Sequence, residues 1–205
     1  MNIYRHPQYC IRCGTCCKKG GPVLHTQDRD LIQSGILRPE HLMTLRQGEL
    51  AYHPVEDKVI ALTVEMIKIS SVPGTSTCIF YDEDNQACTI YENRPVECRA
   101  LKCWDTSDID AILQKHLLVR TDLCPETSLA GRLISGYEKK FPAGDFYHMM
   151  QDTKPGKDSD ELLSLISTDS AFRSEITEKL KIQEKDLKFF FGRSLEELAV
   201  IFFES

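Results

Sequence analysis

The spacing of apolar residues differs between the two halves of the chain. Residues 52–69 are rich in β-branched side chains in the alternating arrangement that is typical of strands, whereas the segments after Pro125 have the spacing of amphipathic helices. This contrast predicts an α+β fold. We expect a small cysteine-rich module with a β-hairpin or short sheet, followed by an all-helical C-terminal region.

Turn and cap residues predict several short elements in the first half. One helix should end at Gly35, and a second should begin after Pro39 and end near Gly48. A hairpin is predicted from two short strands, 78–81 and 87–91, because the polar turn DEDNQ between them is rich in residues that tolerate turn conformations.

Helical patterns fill most of the remaining chain. Pro95 favours a short helical turn that carries Cys98, and an amphipathic helix is predicted over residues 108–118. Ser194 and Glu197 have the spacing of a capping box before the last apolar face. The predicted C-terminal helices cover about residues 127–140, 144–151, 159–168, 170–180, 184–191 and 194–203.

The composition shift near Cys124 predicts the domain organisation. We expect a cysteine-cluster metal-binding domain over residues 1–125 and a helical C-terminal region over 126–205 that packs on it. The sequence KPGK at 154–157 is a linker-like interruption of the helical pattern.

The net charge and the distribution of apolar residues argue against some kinds of partner and some cellular locations. The 205-residue chain carries a formal net charge of −6, which argues against nucleic acid as a partner. No apolar run approaches the ~18 residues that span a bilayer, and the sequence MNIYRHPQYC lacks the apolar region of a signal peptide. We therefore expect a cytoplasmic protein without a membrane segment.

The nine cysteines show the spacing of metal ligands. The first block is C-x2-C-x2-C-C, and thiolates two residues apart can bind one metal or one iron–sulfur cluster because a tight turn brings the sulfurs together. A disulfide framework would need an oxidising compartment and would leave one cysteine unpaired. The predicted metal ligands are Cys10, Cys13, Cys16, Cys17, Cys78, Cys88, Cys98 and Cys124, with Cys103 as the substitute for Cys124.

Two adjacent cysteines divide these ligands between two sites. The first three cysteines match the C-x2-C-x2-C run of bacterial ferredoxins, in which a more distant Cys-Pro completes the pattern, here Cys124-Pro125. Cys17 is expected to point away from Cys16, since adjacent side chains diverge. It would then join the thiolates of the second block, Cys78, Cys88 and Cys98.

Ligand type alone does not separate zinc from an iron–sulfur cluster, because both accept four thiolates. The ferredoxin-like run favours a 4Fe-4S cluster, and two closed zinc sites are the alternative. His6 and His25 are weaker ligand candidates near the first block. The sequence has no motif of a zinc protease, a serine hydrolase, a P-loop, a dinucleotide-binding fold or a radical S-adenosylmethionine cluster.

The order of these motifs resembles a bacterial cysteine-cluster family of zinc- or iron-chelating domains. The resemblance rests on C-x2-C-G-x-C-C from Cys10, C-I-F from Cys78, C-T-I-Y-E-x-R-P-x-x-C-R from Cys88 and a late C-P at Cys124. It covers roughly residues 8–125 and implies metal binding. The family is distantly related to flagellin lysine-N-methylase, so the resemblance also implies protein methylation with S-adenosylmethionine.

Three functions are consistent with these features. The first is a metal-binding protein that holds an iron–sulfur cluster, zinc or both, with a redox, sensing or maturation role. The second is a metal- or cluster-dependent enzyme that modifies a protein substrate. The third is a zinc-stapled module that binds a protein partner. The segment A-L-K-C-W around Cys103 departs from the family pattern and leaves open whether Cys103 or Cys124 is a ligand.

Structural rather than catalytic roles are expected for Arg94 and Glu97. The side chain of Arg94 can reach back to carbonyl groups or acidic side chains of the preceding hairpin and hold Cys98 in place. Binding of an anionic substrate near the metal is the alternative for this residue.

Overall fold

A computed structural model describes residues 9–53, 58–153 and 160–204. The fold is mixed, with short antiparallel strand pairs in the first half and a helical C-terminal region, which confirms the predicted α+β class. The strands are β1 Leu42–Leu45, β2 Leu50–His53, β3 Lys58–Ala61, β4 Met66–Ile69, β5 Tyr81–Asp82 and β6 Ala87–Cys88. The helices are α1 Arg29–Gln33, α2 Val96–Ala100, α3 Ser107–Asp110, α4 Arg120–Leu123, α5 Leu129–Lys140, α6 Ala143–Asp152, α7 Asp160–Leu180, α8 Leu187–Phe191 and α9 Leu195–Glu204.

The chain divides into two compact units, each built from two separate segments. The first unit comprises the residues up to His41 together with Lys68–Leu118. The second comprises Leu42–Ile67 together with the residues from Val119 onward. The expectation that residues 1–125 form a domain of their own stays a prediction about independent folding.

Local signals predicted three short elements of the first unit correctly. Helix α1 follows a 3-10 turn, Thr26–Asp28, and is followed by Gly35 at φ 77°, a conformation that favours glycine. Strands β5 and β6 form the predicted hairpin, and the Asn85 backbone N–H donates to the Asp82 carboxylate across its turn (3.0 Å). Helix α2 begins directly after Pro95. All three predictions are confirmed.

The helix predicted after Pro39 is wrong. A single 3-10 turn, Pro39–His41, is followed at once by strand β1. In the second unit this strand packs against α8, and the Thr44 hydroxyl donates to the Phe189 carbonyl (2.6 Å). Burial of the strand against a helix far along the chain outweighs the local helical preference.

The amphipathic helix predicted over residues 108–118 is also mostly wrong, because α3 ends at Asp110. Gln114 and His116 have positive φ values of 60° and 53°, which end any helix. The chain then becomes extended, and the Leu118 N–H donates to the Leu24 carbonyl (2.9 Å). Pairing with this distant segment of the first unit decides the local conformation.

The predicted C-terminal helices are confirmed, with one change. Helix α7 is continuous where two helices, 159–168 and 170–180, were predicted. The linker-like sequence at 154–157 lies outside the described residues. The capping box before α9 forms as expected: the Ser194 N–H donates to the Glu197 carboxylate (3.0 Å), and the Glu197 N–H donates to the Ser194 hydroxyl (3.1 Å).

The second unit has a hydrophobic core built between helices. Its buried members are Tyr137, Phe141, Phe146, Tyr147, Met150, Leu162, Ile176, Leu187, Phe191, Leu195 and Leu198. Across the parts of the chain that the structure describes, no helix combines the length and apolar content that crossing a membrane requires.

Two glycines of α5 offer a matched test of this packing. A methyl group at buried Gly131 would overlap the carbonyl oxygens of Cys124 and Pro125, whereas one at exposed Gly136 would meet no atom within 4 Å. We expect Gly131→Ala to lower the free energy of unfolding by about 1–3 kcal/mol. Gly136→Ala should raise it by about 0.5–1 kcal/mol through helix propensity. Urea unfolding followed by circular dichroism measures both, and equal effects would contradict the packing argument.

Candidate metal centre

Eight of the nine cysteines line one cavity of about 280 Å³ in the first unit. The two sequence blocks therefore meet, as their spacing predicted. Apolar side chains, among them Tyr9, Ile11, Phe80, Ile90 and Trp104, complete the wall. The cysteines of the cavity are Cys10, Cys13, Cys16, Cys17, Cys78, Cys88, Cys98 and Cys103.

A tight loop carries the first block. The Lys18 N–H donates to the Gly14 carbonyl (2.9 Å), and a 3-10 turn, Cys17–Lys19, ends the loop. Gly14 has φ 77°, and a methyl group there would overlap the ring and hydroxyl of Tyr81. Glycine is thus required at this point, and its absent side chain lets the cysteine loop close against the hairpin.

Backbone pairing places the second block beside this loop. The Cys78 N–H donates to the Cys17 carbonyl (2.8 Å), which joins the two blocks directly. Cys88 lies opposite Tyr81 in the β5–β6 ladder. Cys98 is in the middle of α2, directly after the predicted Pro95 turn.

Buried polar groups hold the helix that carries Cys98. One oxygen of Glu97 accepts the Val23 N–H (2.8 Å), and the other lies 3.2 Å from His25 Nε2. His25 Nδ1 lies 2.7 Å from the Lys115 carbonyl. Both ring nitrogens of His25 therefore face protein groups, which gives this histidine a structural role rather than a role as a metal ligand. His6 lies outside the described residues.

Asp28 supports the same helix from the other side. Its carboxylate accepts the backbone N–H groups of Val96 (2.8 Å) and His25 (3.0 Å). The first of these is an N–H at the start of α2 that has no partner within the helix. The hydrogen bonds of Glu97 agree with the structural role predicted for it. Its partners, and the partner of Asp28 on α2, lie more than 60 residues away along the chain, so the sequence did not identify them.

Two arginines stack on one tyrosine at the cavity wall. The guanidinium carbons of Arg94 and Arg12 lie 3.6 Å and 4.1 Å from the centre of the Tyr91 ring. The Arg94 Nε also donates to the Tyr91 carbonyl (2.8 Å), which confirms that Arg94 reaches back to a carbonyl of the preceding segment. The positive charge of Arg94 favours the ionised forms of Cys16 and Cys88.

The environment of the thiols shifts their pKa values in opposite directions. A hydrogen bond with the Cys17 thiol lowers the pKa of Cys16 and raises that of Cys17. A hydrogen bond with Thr15 lowers the pKa of Cys13. Burial raises the pKa of Cys78, Cys88 and Cys98. A metal ligand must be a thiolate, so the buried thiols gain most from the positive charge of a metal.

The donor chemistry of the cavity fits zinc or iron. All nine cysteines are free thiols, and soft thiolates are the preferred ligands of zinc and of iron–sulfur clusters. No three His, Cys, Asp or Glu side chains within residues 9–53, 58–153 and 160–204 are already arranged to hold one ion. Metal binding therefore requires the thiol side chains to turn toward one another.

Cys124, the ninth cysteine, belongs to the second unit. There it lines a separate hollow of about 340 Å³ together with Glu65, Arg120 and Glu138. The Arg120 guanidinium forms hydrogen bonds to two carboxylates in this hollow: its Nη2 donates to Glu65 (2.6 Å) and to Glu138 (2.7 Å). Burial raises the pKa of the Cys124 thiol, and the nearby charge of Arg120 opposes this.

Comparison with known proteins gives one match. A family model named CxxCxxCC and described as "Putative zinc- or iron-chelating domain" matches residues 9–125, which is more than half of the chain. No curated protein and no solved structure matches the chain. The matched region contains all nine cysteines, including the eight that line the cavity. The chain therefore belongs to the CxxCxxCC family of zinc- or iron-chelating domains.

Proposed function

We propose that this protein uses its clustered cysteine thiolates to hold an iron–sulfur cluster, zinc or both in the cytoplasm, in a redox, sensing or maturation role. The observation that carries the proposal is the meeting of eight free cysteines around one cavity. A bound cluster would supply electron-transfer chemistry, whereas zinc would supply a closed structural site.

The surroundings of the thiols support this proposal. The cavity wall is largely apolar, and an apolar wall limits the access of water to bound thiolates. Arg94 brings positive charge beside Cys16 and Cys88, which offsets the negative charge of the sulfurs. The spacing of Cys10, Cys13 and Cys16 favours a 4Fe-4S cluster over zinc in the first block.

The alternative is a module that a bound zinc ion holds folded, and the small size of the β5–β6 hairpin favours it. Strands β5 and β6 have two residues each, and a hairpin of that size is not stable by itself in water. Thiolate ligands on both sides of the hairpin would supply the missing folding free energy through the metal.

Metal analysis of the full chain purified without oxygen tests the proposal. We expect iron with acid-labile sulfide, or zinc, in the wild-type protein. Cys98→Ser should lose most of this metal and destabilise the first unit, because metal binding and folding are coupled. Iron and sulfide together identify a cluster, and zinc alone identifies the stapled module. A wild-type protein that retains neither metal, even after reconstitution, would refute metal binding.

A further inference from the structure

We propose that Arg12 and Arg94 form an oxyanion-binding site in the wall of the cysteine cavity, which takes the carboxylate or phosphate group of a small ligand. This site goes beyond metal binding, because it uses side chains that are not metal ligands. Both arginines line the cavity, and both guanidinium groups stack on the ring of Tyr91. Two positive charges therefore lie beside one point of the wall, next to the thiols.

The guanidinium of Arg94 is held in place by one of its three nitrogens. Nε donates to the Tyr91 carbonyl (2.8 Å), and its carbon lies 3.6 Å from the centre of the Tyr91 ring. Within residues 9–53, 58–153 and 160–204, neither Arg94 nor Arg12 forms an ion pair with a carboxylate. The two Nη groups of Arg94 are thus the donors for a ligand, and a planar guanidinium can give two parallel hydrogen bonds to one carboxylate or phosphate.

The backbone at Arg12 has a conformation that is unfavourable for an arginine. Its φ of 59° lies in the left-handed region, which residues other than glycine rarely adopt. The contact with the Tyr91 ring, at 4.1 Å, offsets part of the cost. Residues held in such conformations are common at binding sites, because the surrounding structure keeps them in place for a function. The conformation of Arg12 therefore points to a use for its side chain.

The charge of the cysteine loop favours anions. Residues 9–27 contain the cations Arg12, Lys18 and Lys19 and no Asp or Glu, whereas the whole chain has a formal net charge of −6. Lys18 is paired with Glu83 (3.2 Å), so the arginines carry most of the effect inside the cavity. A concave site lined by one sign of charge attracts ligands of the opposite sign.

A second role for these arginines is to balance the charge of the thiolates. That role requires only a positive charge, whereas binding an oxyanion also requires the planar fork of donors. Arg94→Lys keeps the charge and removes the fork, so this variant separates the two roles.

Fluorescence of Trp104 can report oxyanion binding. Trp104 is the only tryptophan of the chain, and it lines the same cavity. The full chain, loaded with zinc and freed of unbound zinc, is titrated with inorganic phosphate and separately with acetate, with chloride at equal ionic strength as the reference. We expect a saturable change with at least one oxyanion and none with chloride. The oxyanion that binds more tightly distinguishes a phosphate ligand from a carboxylate ligand.

Variants assign the binding to the two arginines. Arg94→Lys and Arg12→Gln should each weaken oxyanion binding by about tenfold or more, the scale of one lost charge-assisted hydrogen bond. Both should keep the zinc content and the circular dichroism spectrum of the wild type. Arg99→Gln is the matched control, because Arg99 is an exposed arginine of α2 that does not line the cavity. Its oxyanion affinity should equal that of the wild type.

Several outcomes would overturn the site. One is the absence of saturable binding of either oxyanion. Another is equal affinity in the wild type and Arg94→Lys, because the oxyanion would then bind the metal or a positive charge alone. Zinc loss from Arg94→Lys with unchanged oxyanion affinity would assign this arginine to the thiolates only.

The titration also works on the reduced, metal-free chain, so the two proposals fail separately. If a variant loses zinc, its oxyanion affinity is compared with that of the metal-free wild type. A chain that holds neither zinc nor iron, but loses oxyanion binding in the arginine variants, would refute the proposed function and support this site.

Discussion

Replacing Asp169 by alanine is expected to lower the free energy of unfolding by about 3–5 kcal/mol, because it leaves a buried arginine without its counter-ion. The Asp169 carboxylate is 1% exposed and lies 3.0 Å from Arg173 Nε. The same carboxylate accepts the Tyr137 hydroxyl (2.8 Å) and the Leu195 N–H at the start of α9 (2.8 Å). One side chain thus joins α5, α7 and α9 of the second unit.

Arg173 explains the size of the expected effect. Its guanidinium also donates to the carbonyls of Phe191 (3.1 Å) and Gly192 (3.2 Å), in the link between α8 and α9. Without Asp169 these contacts would have to hold an uncompensated buried charge. Glu178→Ala, which removes an exposed carboxylate from the same helix, is the control and should change stability by less than about 0.5 kcal/mol. Similar urea midpoints for the two variants would contradict the role of Asp169.

Replacing Glu97 by alanine is expected to weaken metal binding by about 10- to 100-fold, because Glu97 holds the helix on which the neighbouring Cys98 lies. Its loss leaves the Val23 N–H and His25 without their buried partner, which should also lower the free energy of unfolding by about 1–3 kcal/mol. Zinc titration against a competing chelator measures the first effect, and thermal unfolding of the metal-free and loaded protein measures the second.

Glu92→Ala is the control for Glu97. Glu92 is exposed in the 3-10 turn just before the same helix, so its loss removes an equal charge without a buried contact. Metal affinity should stay at the wild-type value in this variant. If Glu92→Ala and Glu97→Ala weaken zinc binding equally, the effect is one of net charge and the supporting role of Glu97 is wrong.

The sequence predicted best where a few neighbouring residues decide the conformation. The stop at Gly35, the turn between β5 and β6, the Pro95 start of α2 and the capping box before α9 all follow from side chains within five positions of one another. The predicted helices after Pro39 and over residues 108–118 were wrong. In these segments contacts with α8 and with Leu24, which are distant in the chain, outweigh the local helical preference.

The cysteine spacing by itself predicted thiolate ligands for zinc or iron, because thiols two residues apart can bind one metal, and the family match supports this prediction. The expectation that Cys16 and Cys17 point apart is wrong, because their thiols share a hydrogen bond. Only the tertiary structure showed Cys103 among the thiols of the cavity, and Cys124 in a hollow of the second unit. The residues that surround Cys103 and Cys124 in space are distant in the chain, so they depend on how separate segments pack. For the same reason the sequence did not predict the hydrogen-bond partners of Glu97 and His25 or the bond from Asp28 to α2, since these bonds form only when distant segments meet.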